Sequence, residues 1–184
     1  VEKIRTFQKL PQTMVFSTQD GRVANFNMFS GKPTLLYLMF TRCPEVCPRV
    51  TQTIKTILKK HRVSDEFNIV GVSVDPENDD KKAFASFMEA QQLDADMWTF
   101  INLGSRNTLD FARTVAKLSY NKQIFNMHSE RVVLIDENLV IRGYYLTSDK
   151  NDREALDSIV EVLKSNKIKS LASFKNDGGS NQKL

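Results

Sequence analysis

At 184 residues, with 41% hydrophobic and 26% charged side chains, the chain has the length and composition of one globular domain with ample material for a core. Its longest apolar run, Leu35 to Phe40, is six residues, too short to cross a membrane, and the start at Val1 with no charged-then-apolar leader reads as a processed or truncated protein that could have lost an upstream signal or anchor. The net charge of +4 is mostly local: from Asn166 onward Lys167, Lys169, Lys175 and Lys183 stand against Asp177, and no basic stripe interleaved with aromatics argues for nucleic-acid binding.

Residues 1–12 show no clear period. Residues 14–17 and 23–26 predict two short strands around Gln19-Asp20-Gly21, a hairpin signal. Gly31-Lys32-Pro33 breaks the chain before residues 34–40, which are apolar on both faces, as a central strand covered by helices on each side requires. The next helix places Val50, Ile54, Ile57 and Leu58 on one face and ends in Lys59-Lys60-His61-Arg62, a basic patch suited to a helix C-terminus. Residues 68–74 predict a second strand, and Asn78 or Asp79 is the expected cap of a helix with Ala83, Phe84, Phe87 and Met88 inward. A third strand follows at 98–103, then a helix capped by Ser105 with Leu109, Ala112, Val115 and Ala116 inward. After an irregular loop at 119–127, residues 131–135 and 140–145 predict a hairpin around Asp136-Glu137-Asn138. Asn151 or Asp152 opens a last helix with Leu156, Ile159, Val160 and Leu163 inward. Residues 1–165 are expected to form the single domain, and 166–184 a disordered basic tail. Strands alternating with helices argue for a mainly parallel sheet. The closing hairpin and helix give this order the look of a thioredoxin-like α/β fold, with an N-terminal β-hairpin and a strand–helix unit inserted at 98–118.

The two cysteines of the chain stand in Cys43-Pro44-Glu45-Val46-Cys47-Pro48, between the buried strand and its helix. This is the carboxyl end of a strand, where open α/β sheets place ligand sites. Pro48 suits a first helical turn and disfavours helical dihedrals at the residue before it. Cys47 is therefore expected at or near the N-cap, with Cys43 in the loop ahead, where unpaired N–H groups and the helix dipole favour thiolate over thiol. A structural disulfide closing so short a loop would constrain the unfolded chain little. Two small buried hydrophobes would have no need of a helix N-terminus flanked by prolines. The pair is thus a candidate redox couple or a pair of soft metal ligands, in a compartment that counting cysteines does not fix.

The spacing is one residue longer than the Cys-x-x-Cys of a disulfide oxidoreductase. The prolines stand at 11, 33, 44, 48 and 76, so none occupies the position before the strand at 131 where thioredoxin-like oxidoreductases carry a cis-proline. Thr41-Arg42-Cys43 does not fit the Thr-x-x-Cys of a peroxidase of this fold. Of the two histidines, His61 lies among Lys59, Lys60 and Arg62 and reads as a solvated surface residue. His128 precedes the strand at 131, and in a thioredoxin-like sheet that loop lies beside the first βα turn, facing the cysteines. Two thiolates and one imidazole suit three-coordinate Cu(I), whereas Zn(II) would need a fourth ligand.

Asp20-Gly21, the run from Phe40 to Pro48, Ser73-Val74-Asp75-Pro76-Glu77-Asn78-Asp79 and His128-Ser129 together resemble the Sco family (SCO/SenC), over residues 16–163. Those proteins are copper chaperones for the dinuclear copper site of cytochrome c oxidase. The resemblance implies that Cys43, Cys47 and His128 bind copper, as Cu(I) and in some states Cu(II). It makes Asp75 a nearby acidic residue behind the ligands, whose alternative role is that of a turn or capping aspartate. The chain departs from the family where an Asp often precedes the histidine, with another a few residues earlier: residues 123–127 read Gln-Ile-Phe-Asn-Met, with no acid. That changes the electrostatics around the metal, and Met127 there reads as a packing residue.

The implied function is a metallochaperone that holds one copper ion and passes it by ligand exchange to the copper-bearing subunit of cytochrome c oxidase, without turnover of its own. The alternative is a thiol–disulfide reductase, with weak oxidoreductase activity, that keeps the partner's copper-ligand cysteines reduced; a redox or copper sensor is a third. The resemblance further implies another copper chaperone or a thiol reductase as a partner, and a monomeric state. It implies an extracytoplasmic site (periplasm or cell envelope, or the mitochondrial intermembrane space), with attachment to the membrane through a segment absent from this chain.

Overall fold

A computed structural model describes residues 8–117 and 130–177. Its strands are β1 (Val15–Thr18), β2 (Val23–Asn25), β3 (Thr34–Met39), β4 (Asn68–Ser73), β5 (Trp98–Asn102), β6 (Arg131–Ile135) and β7 (Ile141–Leu146), and its helices α1 (Val46–His61), α2 (Lys81–Gln91), α3 (Gly104–Thr114) and α4 (Lys150–Asp177). The strands form one seven-stranded sheet in the order β2-β1-β5-β4-β3-β6-β7.

β3 is buried at every residue and occupies the middle of the sheet. It pairs parallel to β4 from Thr34↔Asn68 to Met39↔Ser73, and antiparallel to β6. Only β3–β4 and β4–β5 are parallel; β1–β2, β1–β5, β3–β6 and β6–β7 are antiparallel. The mainly parallel sheet expected from the alternation of elements is therefore a mixed one. Helical crossovers impose parallel pairing only on the three strands they join, while tight turns force their strands antiparallel. The inserted β5–α3 unit widens the parallel core and gives β1 an edge to pair with.

Two apolar layers cover the sheet. On one face Leu35, Tyr37, Met39, Ile69, Trp98 and Phe100 meet α1, α2 and α4. On the other, Leu36, Leu38, Val70, Val72 and Ile101 meet Phe111 and Ala112 of α3 and the 3-10 turn Phe26–Phe29. Gly71 of β4 admits the Phe100 ring: a Cβ there would come within 2.5 Å of it, and Phe100 could not then stack on Phe84 at 5.8 Å.

α1 starts near Cys47 as expected, and the other three helix starts differ from local expectation. α1 begins at Val46 with Glu45 at its N-cap, so Cys47 lies inside the first turn. α2 is capped by Asp80, whose carboxylate accepts the Ala83 N–H at 2.8 Å, and not by Asn78 or Asp79. α3 begins at Gly104, with Asn102 Oδ1 accepting the Gly104 N–H at 2.9 Å, and Ser105 lies within the helix. α4 begins at Lys150 behind Asp149, which accepts the Asp152 N–H at 2.9 Å. It runs on through 166–177, the part of the expected disordered tail that the structure describes. Lys, Leu and Ala in that stretch are good helix formers, and Gly178-Gly179 beyond it are not.

His61 is buried, contrary to the surface role read from its basic neighbours. Its Nε2 lies 2.9 Å from Asp157 Oδ1 of α4, Lys60 Nζ donates to Asp157 Oδ2 at 2.5 Å, and Lys164 Nζ donates to the His61 carbonyl at 2.6 Å. The end of α1 is thus tied to α4 by a charge that lies 96 residues further along the chain. His61→Ala is expected to lower the unfolding free energy by about 1–3 kcal/mol, because it leaves Asp157 short of a buried partner. Lys60→Ala, at a side chain 61% exposed, should cost less than about 1 kcal/mol. Urea unfolding checks this, and equal losses for the two variants would contradict it.

Candidate functional site

Because β3 and β4 run parallel and adjacent, their carboxyl ends open side by side. The β3–α1 loop (40–45) therefore lies against the β4–α2 loop (74–80), with Val74 N–H donating to the Met39 carbonyl at 2.8 Å to carry the ladder past the strand ends. The cysteines sit on the first of these loops and on the helix it feeds. Cys43 N–H donates to the Phe40 carbonyl at 3.1 Å, and Cys47 N–H donates to Cys43 Sγ at 3.2 Å. The Phe40 backbone in turn hydrogen-bonds the Cys47 sulfur. The Cys43 sulfur thus satisfies one of the open N–H groups of the first turn of α1, a task normally done by a capping oxygen. Neither cysteine is drawn into a disulfide, and both are nearly inaccessible, 4% and 3% exposed.

Burial pushes the Cys47 thiol well above the usual thiol range; the Phe40 backbone bond opposes this, and the neighbouring Cys43 sulfur and Asp79 carboxylate add to the rise. The thiolate expected from the helix dipole is therefore not the state of Cys47 at neutral pH. A dipole contributes about 0.3–1 kcal/mol at a helix end, which is small beside the cost of ionising a group shut away from water.

Asp75, expected either as an acidic residue behind the ligands or as a turn residue, pairs with Arg42 and closes the turn after β4. Its carboxylate is 6% exposed and accepts Arg42 Nη2 at 2.8 Å, which ties it to the residue before Cys43. It also accepts Asn78 Nδ2 at 2.7 Å, and its carbonyl accepts the N–H groups of Asn78 and Asp79 at 3.0 and 2.9 Å to close the turn. Asp79, read from sequence only as a helix cap, is fully buried beside this turn and bonds Thr41 and Ser73. Burial drives its carboxyl upward, the Ser73 and Thr41 bonds pull it back, and Asp75 adds to the rise. Its signal in the sequence was the polar set Ser73, Asp75 and Asp79 at the end of a strand buried on both faces, which requires partners in the facing loop.

His128 and the loop 119–127 lie outside the described residues. The chain resumes at Glu130, whose carbonyl accepts both the N–H and the hydroxyl of Thr147, at 2.8 and 2.9 Å. The Glu130 carboxylate pairs with Arg49 in the first turns of α1. Bonds from Ser148 and Arg49 hold that carboxyl below its ordinary range against an opposing effect of burial. Among the described residues, no cluster of three His, Cys, Asp or Glu side chains is grouped as a metal site.

The SCO1/SenC family model matches residues 3–164. The SCO1 protein homolog of Bacillus subtilis (strain 168) is 29% identical over 100 residues, which are 54% of this chain and 52% of that relative. The chain thus spans about half the length of that curated relative, and less of others. BsSco, a member of the Sco family of cytochrome c oxidase assembly proteins in which a disulfide switch was identified, superposes with a TM-score of 0.68 at 22% identity, over 89% of this chain and 94% of that one. Arabidopsis thaliana ScoI with copper bound superposes with a TM-score of 0.69 at 20% identity, over 83% of this chain and 96% of that one. These superpositions establish the thioredoxin-like fold with its N-terminal hairpin.

With Cys47 held as a thiol, iodoacetamide at neutral pH is expected to modify Cys43 before Cys47 in the reduced protein, as read by peptide mass mapping. Labelling of Cys47 first would show that burial does not control its state.

Proposed function

The chain belongs to the SCO1/SenC family, and on that premise we propose that it carries one copper ion as cargo on Cys43, Cys47 and His128 and passes it by ligand exchange to the dinuclear copper site of cytochrome c oxidase. The observation that carries the reading is the unbridged, buried sulfur pair at the start of α1, joined by the Cys47 N–H···Sγ contact. Two soft sulfurs and an imidazole form a donor set suited to Cu(I). Arg49, two residues past Cys47, holds Glu130, two residues past His128. Relatives add support: Arabidopsis thaliana ScoI is solved with copper bound, and BsSco belongs to a family of cytochrome c oxidase assembly proteins.

As Cu(I) enters, the two thiols give up two protons and gain one positive charge between them, so the loaded sulfur pair carries one net negative charge. Arg42, tied to Asp75, and Thr41, tied to Asp79, hold the loop that presents Cys43. Placement is part of the proposal: a monomer outside the cytoplasm, attached to a membrane. Among the described residues no helix is long and apolar enough to cross a membrane. The reductase alternative would use the same two sulfurs, but residues 118–130, which lead into β6, contain no proline.

Reduced protein should take up about one equivalent of copper, and Cys43→Ser, Cys47→Ser and His128→Ala should each weaken binding by about a hundredfold or more. His61→Ala should leave copper affinity unchanged. The Cys43–Cys47 disulfide form should bind almost none until a thiol reductant restores it. A competition titration with a Cu(I) chelator reads all of these. Unchanged affinity in His128→Ala would remove the third ligand, and turnover of a general disulfide substrate at a thioredoxin's rate would favour the reductase.

A further inference from the structure

Asp79 is engaged through every polar atom it owns. Its Oδ1 accepts the Thr41 N–H at 3.1 Å and the Thr41 hydroxyl at 2.6 Å, and its Oδ2 accepts the Ser73 hydroxyl at 2.6 Å. Its N–H donates to the Asp75 carbonyl at 2.9 Å, and its carbonyl accepts Asn102 Nδ2 at 3.1 Å. It is fully buried. A carboxylate in that position is costly to maintain unless its bonds are needed. Helix capping does not need it, since Asp80 already caps α2.

What the carboxylate holds is Thr41. Thr41 follows Phe40, whose backbone reaches the Cys47 sulfur and whose carbonyl takes the Cys43 N–H. Cys43 then offers its sulfur to the Cys47 N–H. The chain from Phe40 to Cys47 is therefore a closed circuit of hydrogen bonds, and beside the Arg42–Asp75 pair the fully buried Asp79 attaches it to the β4–α2 loop through Thr41.

We propose that Asp79 is a positioning residue for the cysteine pair: by clamping Thr41 it fixes the turn 40–43 that lays the Cys43 sulfur under the Cys47 N–H and keeps both sulfurs sealed. The inference deepens the copper-cargo reading, but the clamp itself belongs to the reduced, metal-free protein and is tested there. The chemistry of the side chain predicts a graded series. Asparagine keeps one acceptor oxygen for both Thr41 donors and turns an N–H toward Ser73 Oγ, which has a lone pair to receive it, whereas alanine keeps nothing.

The test uses the full reduced chain and the rate at which iodoacetamide modifies Cys43 under native conditions. The comparison is with a control destabilised on the far side of the sheet, Phe111→Leu, brought to equal stability with urea. Asp79→Ala is expected to label about tenfold faster than this control, because the loop opens without global unfolding, and Asp79→Asn to fall between Asp79→Ala and wild type. Should Asp79→Ala fail to fold, Thr41→Val decides: it removes the hydroxyl bond and spares the N–H, and should label a few-fold faster than the matched control. Rates equal to the control's, in Asp79→Ala or failing that in Thr41→Val, would overturn the proposal and leave Asp79 a purely structural acid. A Cu(I) titration alongside separates the two readings: wild type that took up no copper would sink the cargo role, while the labelling rates would still decide the clamp.

Discussion

The parallel register of β3 on β4, from Thr34↔Asn68 to Met39↔Ser73, is the constraint from which the site follows. Both strands lie in the middle of a sheet covered on each face, so they end together at a joint where Ser73, Asp75 and Asp79 are buried. The polar backbone that emerges there must find partners in protein, since each donor or acceptor left open would cost about 1–3 kcal/mol. The partners come from the short polar residues at the two strand ends. Ser73 takes the Asp75 N–H, Asp79 takes Ser73 and Thr41, and Asp75 takes Arg42 and Asn78. The loop that carries Cys43 gets its shape from this accounting. Its sulfur joins the same scheme by accepting an N–H of the helix that follows.

That origin explains how much of the molecule could be read from sequence. Strand positions and inward helix faces follow from apolar periodicity, a local property, and every strand and helix expected within the described residues is present. The cysteine pair was legible because a strand, two sulfurs and a proline in sequence already define a strand-to-helix turn. Choices between equivalent neighbours were not legible. Asn78, Asp79 and Asp80 satisfy the same local capping rule, and what decides among them is that Thr41, on the far side of the joint, needs an acceptor. His61 is the same case: its basic neighbours suggest solvent, and only Asp157, delivered by α4 after the rest of the sheet is built, makes a buried position tenable. Strand direction at the sheet edges also lay beyond local pattern, because nothing within β1 states that it will pair with β5.

The burial of Cys47 bears on the proposed copper-cargo role. At the start of a helix the dipole draws the thiol toward ionisation, but the sulfur is sealed under the β3–α1 loop and desolvation outweighs the dipole. A thiol that resists ionisation is a slow nucleophile at neutral pH, since thiol–disulfide exchange proceeds through the thiolate. The same burial is a smaller obstacle to a soft cation, which offsets one of the two thiolate charges as both protons leave. Shielding the Cys47 sulfur therefore slows its exchange with passing disulfides more than it slows capture of a metal ion. That asymmetry separates a carrier from a general reductase built on the same sheet, and it arises from the loop that closes over the sulfurs more than from the sulfurs themselves.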